Sequence, residues 1–214
     1  MKIAMIGGGA WASTLAQHLI KNGHQVSLWE FDKARLGYLT KYRHPLFFPD
    51  VKLDKKITLT NDISIATDEK DIIVLVVPTQ VVRETIKKIK NHKNQIFVIA
   101  SKGIEIKSGK LLSEIVREEL NTENIVVLSG PSFAKEVAEE LPTTIVASGD
   151  KKNSQIIQKV FSSSTMRVYT NTDIIGVEIG GAVKNVIAVA SGIAKGLGLG
   201  DNTVAAIITR GLVE

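Results

Sequence analysis

Short apolar runs alternate along the chain with segments in which apolar residues recur every three or four positions. Runs of the first kind are typical of strands buried on both faces, and the second kind predicts amphipathic helices. We predict strands over residues 2–6, 25–29, 57–60, 71–77, 95–100, 125–128, 143–147 and 166–170. Because helical segments separate most of these strands, the chain is expected to form a doubly wound, mainly parallel α/β sheet.

The helical segments differ in how clearly they begin and end. We predict helices over residues 11–21, 81–90, 108–120 and 153–161. Ser132 is placed to cap a further short helix that ends at Glu139. Residues 31–56 are polar and mixed, which predicts a loop or a short helix. Within them Phe47 and Phe48 stand between prolines, so we expect them to plug an edge of the core, with a ligand contact as the alternative.

The character of the chain changes at Asp173. Residues 173–195 form one long apolar helical pattern with very few charges, so this helix is expected to be buried on most of its faces. A glycine-rich break and a last helical pattern follow, and that pattern stops at Glu214 in mid-helix. We therefore predict two domains, residues 1–172 and residues 173–214. The second is expected to be either a short terminal helix or the truncated beginning of a helical domain.

The turn after the first strand carries the most specific local motif. Gly7, Gly9 and Ala12 match the spacing G-x-G-x-x-G/A. In that motif the first glycine makes the turn, the second admits a pyrophosphate, and the third residue lets helix and strand pack closely. Glu30 ends the second strand about twenty residues later, where a carboxylate accepts hydrogen bonds from ribose hydroxyls. The strand before the motif and the helix after it favour a Rossmann-type dinucleotide site over a plain glycine-rich turn.

Composition narrows the class of protein. Hydrophobic residues make up 44% of the 214 residues, enough for a sizeable core, and there is no cysteine. That absence excludes disulfides and thiolate chemistry, and together with an N-terminus that enters a strand it favours a cytoplasmic protein. The net charge is +5, but the lysines are scattered, so a small phosphorylated ligand suits the charge as well as nucleic acid does. We expect no apolar stretch of the ~18 residues that a membrane span needs, and no metal site, since the histidines lack the spacing for one.

Two lysines and one loop provide the candidate chemistry. Lys102 follows a predicted strand in a glycine-flanked turn, and it is either an ordinary surface lysine or a ligand contact. Gly130-Pro131-Ser132 offers backbone N–H groups and a hydroxyl for oxygen binding, for helix capping or for both. Lys184 lies in the long helix with Gly180 and Ala188 on the same face. Burial without a partner would lower its pKa and suit a general acid or base, and the alternative is a lysine that reaches solvent.

These motifs resemble those of the soluble, bacterial-type NAD(P)-dependent glycerol-3-phosphate dehydrogenases. The resemblance rests on residues 7–16, 101–105, 128–134, 141–143 and 176–188, of which the last segment is the most specific. It covers essentially the whole chain and implies a Rossmann-type domain followed by the first helices of an all-α domain. It also implies reversible reduction of dihydroxyacetone phosphate to glycerol 3-phosphate, which supplies glycerophospholipid synthesis.

The resemblance implies roles for individual residues. Lys184 would accept and donate the proton at the 2-hydroxyl, and Lys102 would contact both cofactor and substrate. Gly130 and Ser132 would hold the substrate. Together with the glycine motif, the resemblance predicts cofactor contacts at Gly7, Gly9, Ala10, Trp11, Ala12, Glu30, Phe31, Lys102 and Ala134.

Departures from the family pattern carry further expectations. Ala10 replaces a common serine, which removes one possible phosphate hydrogen bond. Glu30 and Phe31 stand where many bacterial members have a small and then a basic residue. We therefore expect NAD(H) to be favoured over NADP(H), although Lys33 and Arg35 are near enough to neutralise a phosphate.

The family also has a helical C-terminal domain with an aspartate and a phosphate-binding arginine among its substrate ligands. Residues 1–214 contain almost none of it, so we expect this polypeptide alone to bind dinucleotide but to turn over substrate very slowly. Its long helix would expose an apolar face, which predicts a homodimer or aggregation. Two alternatives stay open: a dehydrogenase of the β-hydroxyacid kind, and a non-catalytic dinucleotide-binding module.

Overall fold

The computed structural model describes residues 1–90 and 94–213, and its strands form one sheet. The strands are β1 (Lys2–Ile6), β2 (Gln25–Trp29), β3 (Thr58–Thr60), β4 (Ile72–Leu75), β5 (Ile96–Ile99), β6 (Ile125–Ser129), β7 (Thr143–Gly149) and β8 (Met166–Asn171). The helices are α1 (Ala10–Lys21), α2 (Lys33–Tyr42), α3 (Ile63–Thr67), α4 (Val82–Ile86), α5 (Leu112–Leu120), α6 (Ala134–Ala138), α7 (Lys151–Phe161), α8 (Ile174–Gly196) and α9 (Asp201–Val213). One turn of 3-10 helix, Thr79–Val81, leads into α4.

The sheet has the strand order β3-β2-β1-β4-β5-β6-β7-β8. Strands β1 to β6 pair in parallel, β7 is antiparallel to β6, and β8 is parallel to β7. The strand order reverses between β1 and β4, so the loops after these two strands diverge and leave a crevice. The predicted doubly wound, mainly parallel sheet is confirmed. The apolar pattern does not reveal the antiparallel pairing of β6 with β7.

The two faces of the sheet bury separate apolar cores. Ile3 and Met5 of β1 belong to one cluster, whereas Ala4 and Ile6 belong to the other. All four side chains are fully buried. Successive residues of a strand point to opposite faces, and helices cover both faces, so the inner strands β4 and β5 read in the sequence as unbroken apolar runs.

Local hydrogen bonds shift some helix starts from their predicted positions. Helix α5 begins at Leu112, later than the predicted start at Ser108. The intervening residues form a turn, in which the N–H of Gly109 donates to the Glu105 carbonyl oxygen at 2.8 Å. The N–H of Glu105 donates in turn to the Lys110 carbonyl oxygen at 3.0 Å. These groups are therefore satisfied outside the helix.

Two other expectations about helix starts have different outcomes. Residues 31–56 do contain a short helix, α2, whose first-turn N–H at Arg35 is capped by the Asp32 carboxylate at 2.9 Å. The predicted cap at Ser132 is wrong, because α6 begins at Ala134 and the capping position belongs to Phe133. The Ser132 hydroxyl donates instead to the carbonyl oxygen of Gly130 at 3.4 Å.

Helix α8 confirms the predicted long helix but not its predicted burial. Of its 23 residues, Glu178, Gly181 and Ala194 are buried, while Val186 and Val189 are 67% and 62% exposed. The helix contacts β6, β7 and α9, and these elements cover only part of its apolar surface.

By length and composition α8 also qualifies as a membrane span, with a mean hydropathy of 1.5 over an 18-residue window of which 11% is buried. The expectation that no apolar stretch reaches this length is therefore wrong. A hydropathy average tolerates isolated charges, and α8 contains Glu178 and Lys184 among its apolar residues. One such helix is weak evidence for a membrane protein, and the buried Glu178 indicates that its first turns pack against protein.

Candidate functional site

The turn between β1 and α1 is shaped by three glycines. Gly7 has a φ of +132°, and a Cβ there would lie 2.6 Å from the carbonyl oxygen of Val76. A Cβ on Gly8 would collide with the Glu30 carboxylate. Gly9 precedes α1 with a φ of −74° and has nothing within 4 Å of its Cβ position. Packing therefore requires the first two glycines, and open space adjoins the third. Motif spacing does not single out Gly8, because the G-x-G pattern leaves that position free.

A cleft of about 750 Å³ opens beside this turn, at the carboxyl ends of β1, β2 and β4. Its volume lies within the roughly 300–1,000 Å³ typical of small-molecule sites. No side chain caps the first turn of α1, so free N–H groups there favour an anion such as a pyrophosphate. All of the predicted cofactor residues except Lys102 and Ala134 line the cleft. Ala12 is also fully buried, as close packing of α1 on the sheet requires.

One end of the cleft carries both an acid and cations. Glu30 is 8% exposed, and its Oε1 accepts a hydrogen bond from the Asp32 N–H at 2.9 Å. Phe31 is 71% exposed, and the Lys88 Nζ lies 5.5 Å from its ring centroid. Arg35 lines the same cleft. A ribose would therefore meet a carboxylate here, whereas an additional phosphate would meet two cations. Lys88 is distant in sequence from the motif, and we did not predict its place in the cleft.

A smaller cavity of about 100 Å³ adjoins the glycine turn. Phe47 and Phe48 line it together with Gly9 and Ala10, and Phe47 is 86% exposed. The expectation that these aromatics plug an edge of the core is therefore wrong for Phe47. The loop passes over the glycine turn, where a cavity lies beneath it, so its position fits the ligand-facing alternative.

Lys102 follows β5 and is held by the neighbouring loop after β4. The Thr79 hydroxyl donates to the Lys102 carbonyl oxygen at 2.6 Å, and the Ser101 hydroxyl donates to the Val77 carbonyl oxygen at 2.6 Å. Val77 also lines the dinucleotide cleft. One loop therefore contacts the cleft on one side and the backbone of Lys102 on the other. The Lys102 ammonium donates to the carbonyl oxygen of Gly130 at 3.3 Å.

Burial is the main reason that the pKa of Lys102 falls to about 8, and the neighbouring Lys184 ammonium adds to this effect. Lys184 itself is exposed. The prediction of a buried lysine at position 184 is therefore wrong, and the desolvated lysine is Lys102. Its stem lies against α8, with Cγ 3.8 Å from the Cβ position of Gly181. A Cβ on Gly181 would also meet the Ser129 hydroxyl oxygen, whereas the Cβ position of Gly180, which shares a helix face with Lys184, has nothing within 4 Å.

The loop after β6 brings two of the predicted substrate residues to Lys102. The carbonyl oxygen of Gly130 accepts from the Lys102 ammonium and, at 3.4 Å, from the Ser132 hydroxyl. Ala134 lies elsewhere, because its carbonyl oxygen accepts from the Thr14 hydroxyl of α1 at 3.4 Å. Lys102, Gly130 and Ser132 thus form one hydrogen-bonded group, the Lys184 ammonium is a neighbour of Lys102, and Ala134 packs against α1.

Fold and site together define a dinucleotide-binding α/β protein of the Rossmann type, with two lysines beside the crevice. Residues 2–155 match the sequence model described as NAD-dependent glycerol-3-phosphate dehydrogenase N-terminus. Residues 173–214 match the one described as the C-terminus of the same enzyme. The chain belongs to the NAD-dependent glycerol-3-phosphate dehydrogenase family.

Similar proteins span the whole of this chain. The curated proteins named glycerol-3-phosphate dehydrogenase, NAD(P)+, from Thermoanaerobacter sp. (strain X514) and Syntrophotalea carbinolica are 42% and 45% identical to it over 100% of its length. The chain spans 66% of the length of each. The crystal structure of glycerol-3-phosphate dehydrogenase from Coxiella burnetii is 33% identical, with a TM-score of 0.91 over 99% of this chain and 66% of that one.

Proposed function

We propose that this chain provides the cofactor cleft and the proton-transfer lysine of an enzyme that interconverts dihydroxyacetone phosphate and sn-glycerol 3-phosphate with NAD(P)H, for glycerophospholipid synthesis. The observation that carries the proposal is the loop after β4, in which Val77 lines the cleft and Thr79 holds Lys102. A hydride donor and a pair of ammonium groups would thereby meet at one crevice. Family membership supports this substrate pair.

Reduction of the ketone requires a hydride at carbon 2 and a proton on the carbonyl oxygen. The reduced nicotinamide supplies the hydride when it is bound. We assign the proton to the Lys184 ammonium, and the neutral amine takes it back from the hydroxyl in the reverse direction. Lys102 and Lys184 place two positive charges where an alkoxide develops, which lowers the energy of that transition state. Gly130 and Ser132 hold the substrate oxygens from the adjacent loop.

NAD(H) is the proposed preferred cofactor, and Glu30 supports this preference. Its carboxylate can accept from ribose hydroxyls and would repel a 2′-phosphate. Arg35 and Lys88 oppose the preference, because both line the cleft and carry positive charge. Trp11 and Trp29 also line it, so their fluorescence can report the binding of each cofactor. Tighter binding of NADPH than of NADH would contradict the proposed preference.

Turnover by the complete gene product tests the proposed reaction. Loss of NADH absorbance is followed with dihydroxyacetone phosphate and, separately, with the ketone of a β-hydroxy-carboxylate. Turnover of dihydroxyacetone phosphate supports the proposal. Turnover of the carboxylate alone would favour the β-hydroxyacid alternative, and cofactor binding without either reaction would favour the non-catalytic module.

The remaining assignments form part of the same proposal. The domains divide at Asp173, and the partner is a small phosphorylated molecule, with no nucleic acid or membrane involved. The scattered lysines support a small partner over nucleic acid, and the lack of cysteine supports a cytoplasmic location.

We propose that residues 1–214 form a homodimer, because exposed side chains such as Val186 leave an apolar face on α8. A monomer by light scattering would contradict the dimer.

A further inference from the structure

Glu178 is a buried carboxylate in the first turns of α8. The helix is mostly exposed, yet this residue is only 8% exposed. Its Oε1 accepts a hydrogen bond from the backbone N–H of Ser113 at 3.0 Å, and its Oε2 accepts a short one from the Ser113 hydroxyl. Both carboxylate oxygens therefore bind one residue that lies 65 positions away in the chain.

Ser113 stands in the first turn of α5, where the helix needs an acceptor. Leu111, the residue before the helix, has no side-chain oxygen and provides no side-chain cap. A first-turn N–H favours a carboxylate, both as an acceptor and as a negative charge at the positive end of the helix dipole. Glu178 supplies this group from α8. The carboxylate thus joins two helices that belong to distant parts of the chain.

The same side of α8 meets the Lys102 loop one turn later. A void of about 10 Å³ is lined by Glu178, Gly181, Lys102 and Ser129, among others, so these elements pack closely. A Cβ on Gly181 would lie 2.9 Å from the Ser129 hydroxyl oxygen. Lys184 follows Gly181 by about one further turn, since an α-helix has ~3.6 residues per turn.

Helix α8 thus has two contacts on successive turns, that of Glu178 with Ser113 and that of Gly181 with the Lys102 loop and Ser129. Together they fix the helix both along its axis and in rotation. Apolar packing alone tolerates sliding, whereas a pair of hydrogen bonds to one residue is directional. Burial raises the pKa of Glu178, and the hydrogen bonds from Ser113 oppose that change. A carboxylate in this position costs desolvation free energy. The residue is therefore better explained by a need to position α8 than by a gain in the stability of the fold.

We propose that Glu178 is a positioning residue, whose two hydrogen bonds to Ser113 set α8 so that the Lys184 ammonium stands beside that of Lys102. Glu178 does not line the dinucleotide cleft, so it acts through the helix. The proposal rests on the proposed function only for the importance of the two lysines. The contact itself can be tested without any turnover.

The pKa of Lys102 reports how close the lysines are, because Lys184 is one cause of its decrease. It can be measured on residues 1–214 by an NMR titration of carbon-13-labelled lysine, with Lys102→Arg to assign the signal. Glu178→Ala should raise this pKa from about 8 towards the value found in Lys184→Met. NADH affinity should stay unchanged, since the cleft is separate.

Glu178→Gln distinguishes an effect of the position of α8 from a direct effect of the Glu178 charge on the lysines. Its amide oxygen can accept from the Ser113 N–H, and its NH₂ group can donate to the Ser113 oxygen. The pKa of Lys102 should therefore stay near 8 in this variant. If the negative charge of Glu178 acted on the lysines directly, its loss would lower the Lys102 pKa in both variants, which is opposite in sign to the shift expected for Glu178→Ala.

An unchanged Lys102 pKa in a folded Glu178→Ala protein would overturn the proposal. If that variant does not fold, Ser113→Ala takes its place, because it removes only the hydroxyl donor. A raised Lys102 pKa in Ser113→Ala would support the proposal, and an unchanged one would overturn it. In the complete gene product Glu178→Ala should lower kcat without changing the KM for NADH, and Glu178→Gln should restore it. A wild-type protein without turnover would count against the proposed function and leave the NMR result valid.

Discussion

The hydroxyl of Thr79 donates a 2.6 Å hydrogen bond to the carbonyl oxygen of Lys102, and this bond ties the loop after β4 to the loop after β5. Gly103 makes the approach possible, because it has a φ of +130° and a Cβ there would lie 2.9 Å from the Thr79 hydroxyl oxygen. The first of these loops also lines the dinucleotide cleft. The backbone of Lys102 is therefore set by the same loop that would meet the cofactor.

Lys184→Ala is expected to lower turnover of the complete gene product by ~10²-fold or more, because it removes the proposed proton donor. NADH affinity should change little, since Lys184 does not line the cleft. Steady-state kinetics and fluorescence titration measure the two quantities. Lys195→Ala is the matched control, because Lys195 is an exposed lysine on the same helix. Ordinary turnover in Lys184→Ala would end the assignment.

Lys102→Met should increase stability near neutral pH. The pKa of Lys102 falls on folding from 10.5 to about 8, mainly through burial. Between these values the unfolded chain binds more protons, so the contribution of Lys102 to the free energy of unfolding rises with pH. Below about pH 8 the cost of burying the charge is present in full. Urea denaturation should therefore show a larger gain for Lys102→Met at pH 7 than at pH 10.

The control for this pH dependence is Lys195→Met, which removes an exposed lysine from α8. It should show no comparable difference between the two pH values. An equal gain for Lys102→Met at both pH values would mean that the substitution acts through packing and not through the charge.

Alanine substitutions in the glycine turn should separate stability from binding. Gly7→Ala is expected to destabilise the fold by roughly 1–3 kcal/mol, because its φ is +132° and the methyl group would meet the Val76 carbonyl. Gly9→Ala should leave stability nearly unchanged, since nothing lies within 4 Å. Its methyl group would occupy the space for the pyrophosphate, which should weaken NADH binding about tenfold or more. Unchanged NADH binding in Gly9→Ala would exclude this turn as the phosphate site.

A polypeptide of residues 1–214 is expected to bind NADH but to reduce dihydroxyacetone phosphate many orders of magnitude more slowly than the complete gene product. Binding energy from the substrate phosphate positions carbon 2 for the hydride. We propose that ligands for that phosphate lie in the part of the curated relatives that this chain, at 66% of their length, does not span. Turnover by both proteins, compared at equal cofactor saturation, tests this. Ordinary rates from residues 1–214 would show that these residues complete the site.

The local elements and the dinucleotide motif were accessible from the sequence. Strand β1, the turn at Gly7 and Gly9, and helix α1 follow from apolar periodicity and turn glycines, which act over a few residues. The position of Glu30 follows from the length of that same unit. The sequence also revealed α8, whose apolar pattern persists over its whole length.

Only the tertiary structure decided which charged groups leave water and which meet. Lys102 is half-buried whereas Lys184 is exposed, Glu178 contacts Ser113, and Lys88 lines the cleft. Each of these features joins segments that are far apart in the chain. A local pattern contains no information about the partner that covers a side chain. Desolvation, and with it the lowered pKa of Lys102, depends on that partner, and so it arises only when the distant segments pack together.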